Sequence, residues 1–196
     1  MPLVDVSGQA FGYILILVCM YLLVLYVQRR PDVLAAIRWN WPSKPGWYLF
    51  AGFLLSLALQ GLAHLLPIPK NLPIDNMFKT PAEAWVISLF GVTLGPLFEE
   101  LYFRAFFYPA LSSRAGIPCA VLLTAAPFAL LHATQLGFSW GPVLVVFLVG
   151  VVLTMVRAYK NSVAAGFLIH IAYNGTISAL MFAATDGFRH LEKLNS

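Results

Sequence analysis

Six stretches of about twenty predominantly apolar residues dominate this chain, and they constrain its fold more than any other feature. They run over 8–27, 47–66, 84–109, 118–136, 140–157 and 162–184. A helix of ~20 residues spans the ~30 Å hydrocarbon core of a bilayer. Segments that are apolar all round read as membrane helices, whereas a transmembrane barrel would show short alternating strands. With 196 residues, 60% of them hydrophobic and 10% charged, the chain is too apolar for a soluble fold of this size. The expectation is an all-α polytopic membrane protein of about six transmembrane helices around a polar intramembrane cavity. Two N-terminal helices and an extracytoplasmic loop fill 1–82, a core of four helices fills 83–184, and a polar tail closes 185–196.

The first segment reads as a retained span. It lacks a basic leader region, and Arg29 and Arg30 follow it. Arg29, Arg30, Arg38, Lys44, Arg114, Arg157 and Lys160 fall on one side of the bilayer, against Lys70, Lys79, Arg189 and Lys193 on the other. The positive-inside rule then places both termini outside the cytoplasm, in a multi-pass protein of the cell membrane. Basic residues between apolar runs are explained by topology, so nucleic acid is not an expected partner. Trp39, Trp41, Trp47 and Tyr48 suit an interfacial aromatic belt. Cys19 and Cys119 read as packing residues, and the proline-rich connection Pro67 to Pro81 as an irregular extracytoplasmic loop.

Ionisable groups inside membrane spans are costly and mark function. Span three carries Glu99, Glu100 and Arg104, span four His132, and span six His170 and Asn174; spans one and five carry none well inside. Residues four apart share a helix face, so Glu100 pairs with Arg104, His170 lies with Asn174, and Phe128 with His132. Glu99, about 100° round from Glu100, points elsewhere. By rise alone, Glu100 and His170 lie ~14 and ~12 Å from the cytoplasmic edge and His132 ~21 Å; a break at Gly95-Pro96 or a later start for span four would close the gap. Two carboxylates, two imidazoles and an amide in a dry site suit activation of water and stabilisation of an oxyanion. The same groups suit a metal site, with a divalent ion such as zinc on Glu99, His132 and His170 and water fourth. A proton-coupled transporter is a further reading, though no two-fold repeat of broken helices is visible.

Lesser signals read as structure. Gly137-Phe138-Ser139-Trp140-Gly141 matches the G-x-S-x-G pattern but follows a membrane helix, so it reads as a helix-linking turn. Gly91 and Gly95 read as a helix-packing pair, His64 with Gln60 as a bond to a neighbouring helix, and His190 as solvated. HExxH is absent.

The ordered motifs Glu99-Glu100-Leu101-Tyr102-Phe103-Arg104 (EExxxR), Phe128 to His132 (FxxxH) and His170 to Asn174 (HxxxN) resemble those of the CAAX-protease and bacteriocin-processing (CPBP) family of intramembrane proteases. Its members are also called type II CAAX prenyl endopeptidases or Abi-like proteins. The resemblance covers roughly 83–184. It implies hydrolysis of a peptide bond in a membrane-associated protein or peptide, prenylated CAAX-like or bacteriocin-like, at the lipid bilayer. Carried over residue by residue, Glu99 and His132 would activate water and His170 and Asn174 would stabilise the oxyanion. Glu100 would support the site with Arg104, and Phe128 would pack beside it. Glutamate-type and metallo-type mechanisms both stay open, as does a non-catalytic immunity or scaffold role on the same fold.

Overall fold

A computed structural model describes residues 2–27, 29 and 31–195. Among these residues there is no strand, and the chain is helical nearly throughout. Helix α1 spans Pro2–Leu22 and runs on as a π-helical turn, Leu23–Val27. A short α2, Val33–Ala36, leads to α3, Pro45–Ala63. Then come α4, Pro81–Val92, and α5, Leu94–Glu99, which continues as a π-helix, Glu100–Phe107. The bundle is completed by α6, Tyr108–Ala133, α7, Trp140–Lys160, and α8, Val163–Ala184. Long apolar helices and the apolar stretch Phe11–Tyr26 make this an integral membrane protein of the expected all-α class.

Local chemistry sets the helix ends. Thr80 and Glu83 form a reciprocal capping box at α4 (3.2 and 3.0 Å), with Pro81 at the first helical position. Ser162 caps α8 through the Ala165 amide at 3.0 Å, and its hydroxyl donates to the Asn40 carbonyl. Asn161, at φ 50°, ends α7 in the left-handed region that Asn tolerates. Thr185 closes the last turn of α8 by donating to Met181 O at 2.8 Å, and Phe188 just beyond packs edge-on against Trp85 of α4 at 5.3 Å.

The break that decides the site is Gly116, at φ 73° and ψ 169° inside α6. Only glycine adopts such φ freely, and here the chain reverses. Phe103 then meets Phe128 edge-on at 5.3 Å, and Tyr108 packs with Ala120 and Val121. The third span therefore runs past Pro109, where its end was expected, to Ala115. Arg114 lies on its exposed last turn, bonding Ala110 O at 3.0 Å. Glu100 stands sixteen positions before Gly116 and His132 sixteen after it. The two legs are thus equally long in residues, and Glu99, one position before Glu100, comes within 3.7 Å of His132.

Helix α8 is central. It packs against α3 so closely that a Cβ on Gly52 would collide with the Ile169 carbonyl. Its Ile169 and Tyr173 share a buried cluster with Leu59, Val149 and Leu153. Outward faces carry large apolar side chains, with Leu122, Leu123 and Leu130 all more than half exposed, as a lipid-facing surface requires. Trp41 and Trp47 are exposed as a belt would have them. Trp39 is not: it packs on Phe167 (5.5 Å) and on the cluster of Val24, Ile37, Ala105 and Val163. Tyr48 likewise packs on the α3–α8 core. Of the basic residues used for orientation, Arg30 lies outside the described residues. Arg157, expected in a loop, is buried in α7.

Candidate active site

The third, fourth and sixth spans deliver their polar groups to one place. Glu99 sits on the last turn of α5, with Oε1 3.7 Å from His132 Nε2 and Oε2 3.7 Å from His170 Nε2. Glu100, the next residue, reaches the other side of the same ring: its Oε1 lies 3.0 Å from His170 Nδ1. The two carboxylates do diverge, as expected. The His170 imidazole stands between them, and Glu99 lies beside His132 and His170.

Each imidazole is held by its second nitrogen. His132 Nδ1 lies 2.8 Å from Phe128 O. A carbonyl only accepts, so Nδ1 carries a proton, and in the neutral ring the Nε2 lone pair faces Glu99. Glu100 is fully buried and forms an ion pair with Arg104 Nη1 at 3.0 Å. As a carboxylate it accepts from His170 Nδ1, so His170 in its neutral form also presents a lone pair at Nε2. Three acceptors therefore converge, and a group able to donate to them fits between. A water can hydrogen-bond two atoms 3.7 Å apart.

Zinc accepts such a donor set, but two ligands on ~2.0–2.1 Å bonds in a tetrahedron stand about 3.3 Å apart, closer than these. Among the described residues no three His, Cys, Asp or Glu side chains are drawn together tightly enough to hold a metal ion.

Phe128 is buried beneath the site, with its ring face 4.5 Å from the Arg104 guanidinium and its ring 5.0 Å from that of His132. This stacking keeps a fully buried cation on a π-face. Asn174 also lines the cavity. Its Nδ2 donates to Gly91 O at 2.7 Å, tying α8 to α4 and leaving one amide hydrogen free. Gly91 thus serves as an acceptor. Close helix approach instead falls to Gly52, Gly150 and Gly166.

The cavity holds about 810 Å³, the size of a ligand or peptide pocket. Its walls are mostly apolar and include Leu17 of α1, Met77, Leu131 and Ile177. From the histidines it extends toward the 67–80 loop, whose Ile74 amide bonds Gln135 O at 2.9 Å. Around that rim Gly137 and Phe138 (φ 59° and 55°) make the turn into α7, and Ser139 is its N-cap residue. The G-x-S-x-G segment is thus the helix-linking turn expected. Gln60 bonds Ser56 of its own helix (2.9 Å), not a neighbouring one, and His64 is the C-cap of α3.

Sequence reasoning missed the contribution of the fifth span. Helix α7 lends Gly150 O to Arg104 Nη2 (3.2 Å), and Arg157 Nε donates to Arg104 O (3.0 Å). It also missed Gly166, where a Cβ would stand 2.7 Å from Glu100 Oε2. A small-residue run, Ala164-Ala165-Gly166, was the available signal.

Comparison with known proteins agrees with the motifs. Residues 81–176 match the family model described as type II CAAX prenyl endopeptidase Rce1-like, a family of intramembrane proteases. The chain is similar to the UPF0177 protein YbdI of Lactococcus lactis subsp. lactis (strain IL1403), with 26% identity over 173 residues. That alignment covers 84% of this chain and 91% of the relative. No solved structure matches the chain.

Proposed function

We propose that this membrane protein, which carries a type II CAAX prenyl endopeptidase Rce1-like domain over residues 81–176, hydrolyses a peptide bond of a membrane-associated substrate with a water activated by Glu99 and His132. The observation that carries this reading is the seat of Glu99, 3.7 Å from the free nitrogen of each of two histidines, at the polar end of an apolar cavity.

Water between Glu99 and His132 loses a proton to the carboxylate as its oxygen bonds to the scissile carbonyl carbon. The carbonyl oxygen becomes an oxyanion. The free amide hydrogen of Asn174 donates to it, and so does His170 when it enters the cycle as an imidazolium, its Nε2 proton taken from solvent and kept through the step while Glu100 stabilises the cation from the other side. The carbon–nitrogen bond then breaks, and the proton held by Glu99 passes to the leaving amine. Arg104 keeps Glu100 ionised throughout. The substrate is a largely apolar protein segment, prenylated or bacteriocin-like, because the cavity offers mainly apolar walls.

The test compares peptide termini of membrane proteins in cells expressing wild-type chain or Glu99→Ala at matched levels. New termini present only with wild type are expected. Identical termini in both overturn the catalytic reading and leave a scaffold role. Cleavage by the purified protein is expected to persist after dialysis against a chelator; loss restored by added zinc would convert the mechanism to a metal-dependent one.

A further inference from the structure

The π-helix that carries Glu100 and Arg104 leaves one backbone group in need of a partner. In an α-helix the carbonyl of Arg104 would accept from the amide of Tyr108, four residues on. In the π-helix that amide bonds Phe103 O instead. The next candidate, five residues on from Arg104 and so in π register, is residue 109. It is Pro109, which has no N–H. The Arg104 carbonyl is thus orphaned inside the bundle by the helix's own sequence, and a buried orphan carbonyl is costly. Arg157, from α7, supplies the missing donor through Nε at 3.0 Å.

The remaining contacts of Arg157 fit that assignment. It is 7% exposed. Its Nη1 donates to Asn161 Oδ1 at 3.0 Å, and its guanidinium faces the Tyr108 ring at 5.8 Å. Among the described residues no carboxylate pairs with it, so its charge is not held there for an ion pair. Helix α7 thereby grips Arg104 twice, by its carbonyl through Arg157 and by its guanidinium through Gly150 O. The register of the wide turn matters because it sets where Glu100 falls against His170 while Glu99, one residue earlier, faces both Nε2 atoms.

We infer that Arg157 is a positioning residue: by replacing the N–H that Pro109 lacks, it pins the π-helical register that aims Glu99 and Glu100 at the histidines. The inference rests on the catalytic reading above for its effect on turnover, but not for its effect on the helix.

The test uses full-length protein in detergent micelles and three variants: Arg157→Gln, Arg157→Lys and the double variant Arg157→Gln with Pro109→Ala. Hydrogen exchange followed by mass spectrometry reads the amides of 103–108 without any substrate. Arg157→Gln is expected to speed their exchange by about tenfold or more and to leave 163–176 unchanged. Arg157→Lys, which keeps the charge but not the Nε–H, is expected to fall between. The double variant regains an amide at 109 and is expected to recover much of the protection. Where a cleaved substrate is in hand, kcat of Arg157→Gln is expected to fall ~10- to 100-fold with KM within about twofold, and the double variant to recover part of it. Unchanged exchange at 103–108 in Arg157→Gln overturns the inference, as does failure of Pro109→Ala to restore either protection or turnover. Should Glu99→Ala cleave as well as wild type, the catalytic reading falls, and the exchange data still decide the pin.

Discussion

Two histidine–glutamate pairs of equal length, one joining α8 to the π-helix and one just beyond α8, do different things. His170 Nδ1 and His190 Nδ1 each stand 3.0 Å from a glutamate Oε1. The first pair is sealed, with side-chain exposures of 4% and 0%; the second is open, at 50% and 72%. The first is tied to a buried arginine and touches a second carboxylate, whereas the second has water for company. Distance alone does not rank them. The free energy at stake in a charge pair scales inversely with the local dielectric, and removing one partner is costly only where the other cannot be rehydrated. The buried pair therefore orders a site, and the exposed pair decorates a tail.

The sharpest test of this contrast separates chemistry from stability within the buried cluster. Glu99→Ala removes the carboxylate that faces both imidazoles but breaks no close ion pair. Cleavage is expected to fall by about 10²- to 10⁴-fold with the melting temperature of the purified protein little changed. A parallel loss of both would make Glu99 a structural residue. Next comes Glu100→Leu, which strands Arg104 without its counter-ion in a fully buried position. Destabilisation of about 3–5 kcal/mol is expected in a denaturant titration. Adding Arg104→Met to it is expected to recover most of that stability and none of the cleavage, because an apolar pair replaces the ion pair but not the support of His170.

A smaller effect is expected from Gly166→Ala. Its methyl carbon would stand 2.7 Å from Glu100 Oε2, so the carboxylate must move. Overpacking of this kind costs about 1–3 kcal/mol and should lower turnover more than it raises KM. The least is expected at the open pair. Glu192 is held below the ordinary carboxylate range by a bond from its own backbone amide and by His190. A lowered folded pKa gives stability that is present above the unfolded value and lost as pH falls through the folded one. For a fully exposed group that loss is screened away, so Glu192→Gln should leave the melting temperature unmoved from neutral pH into the mild acid range. A clear drop would show that the tail contributes to the stability of the fold.

Much of this was legible in the sequence, for reasons that differ by residue. Glu100 and Arg104 are four apart, and in either an α- or a π-helix that spacing returns nearly to the same face, so their pairing follows locally. The same holds for Phe128 and His132, whose rings touch at 5.0 Å. Trp39 was misread because an aromatic near a span end suits both a belt and a helix contact, and only its neighbour Phe167 decides. Arg157 was misread because a basic residue near a helix end fits the topology rule wherever its side chain turns.

Apolar run length, the absence of any alternating pattern and the order of three polar motifs determined an all-α membrane bundle and named the residues to watch. These are properties of single helices, set by hydration and by a fixed rise per residue. Tertiary structure alone decided that Glu99 and His132 meet, because the meeting depends on a reversal at Gly116, about midway between them. It alone decided that His170 lies between two adjacent carboxylates, that Gly166 leaves room for one of them, and that a fifth span without motif residues grips Arg104 from behind. Each of these requires atoms distant in sequence to come within 3.0–3.7 Å, and no local periodicity encodes such a distance.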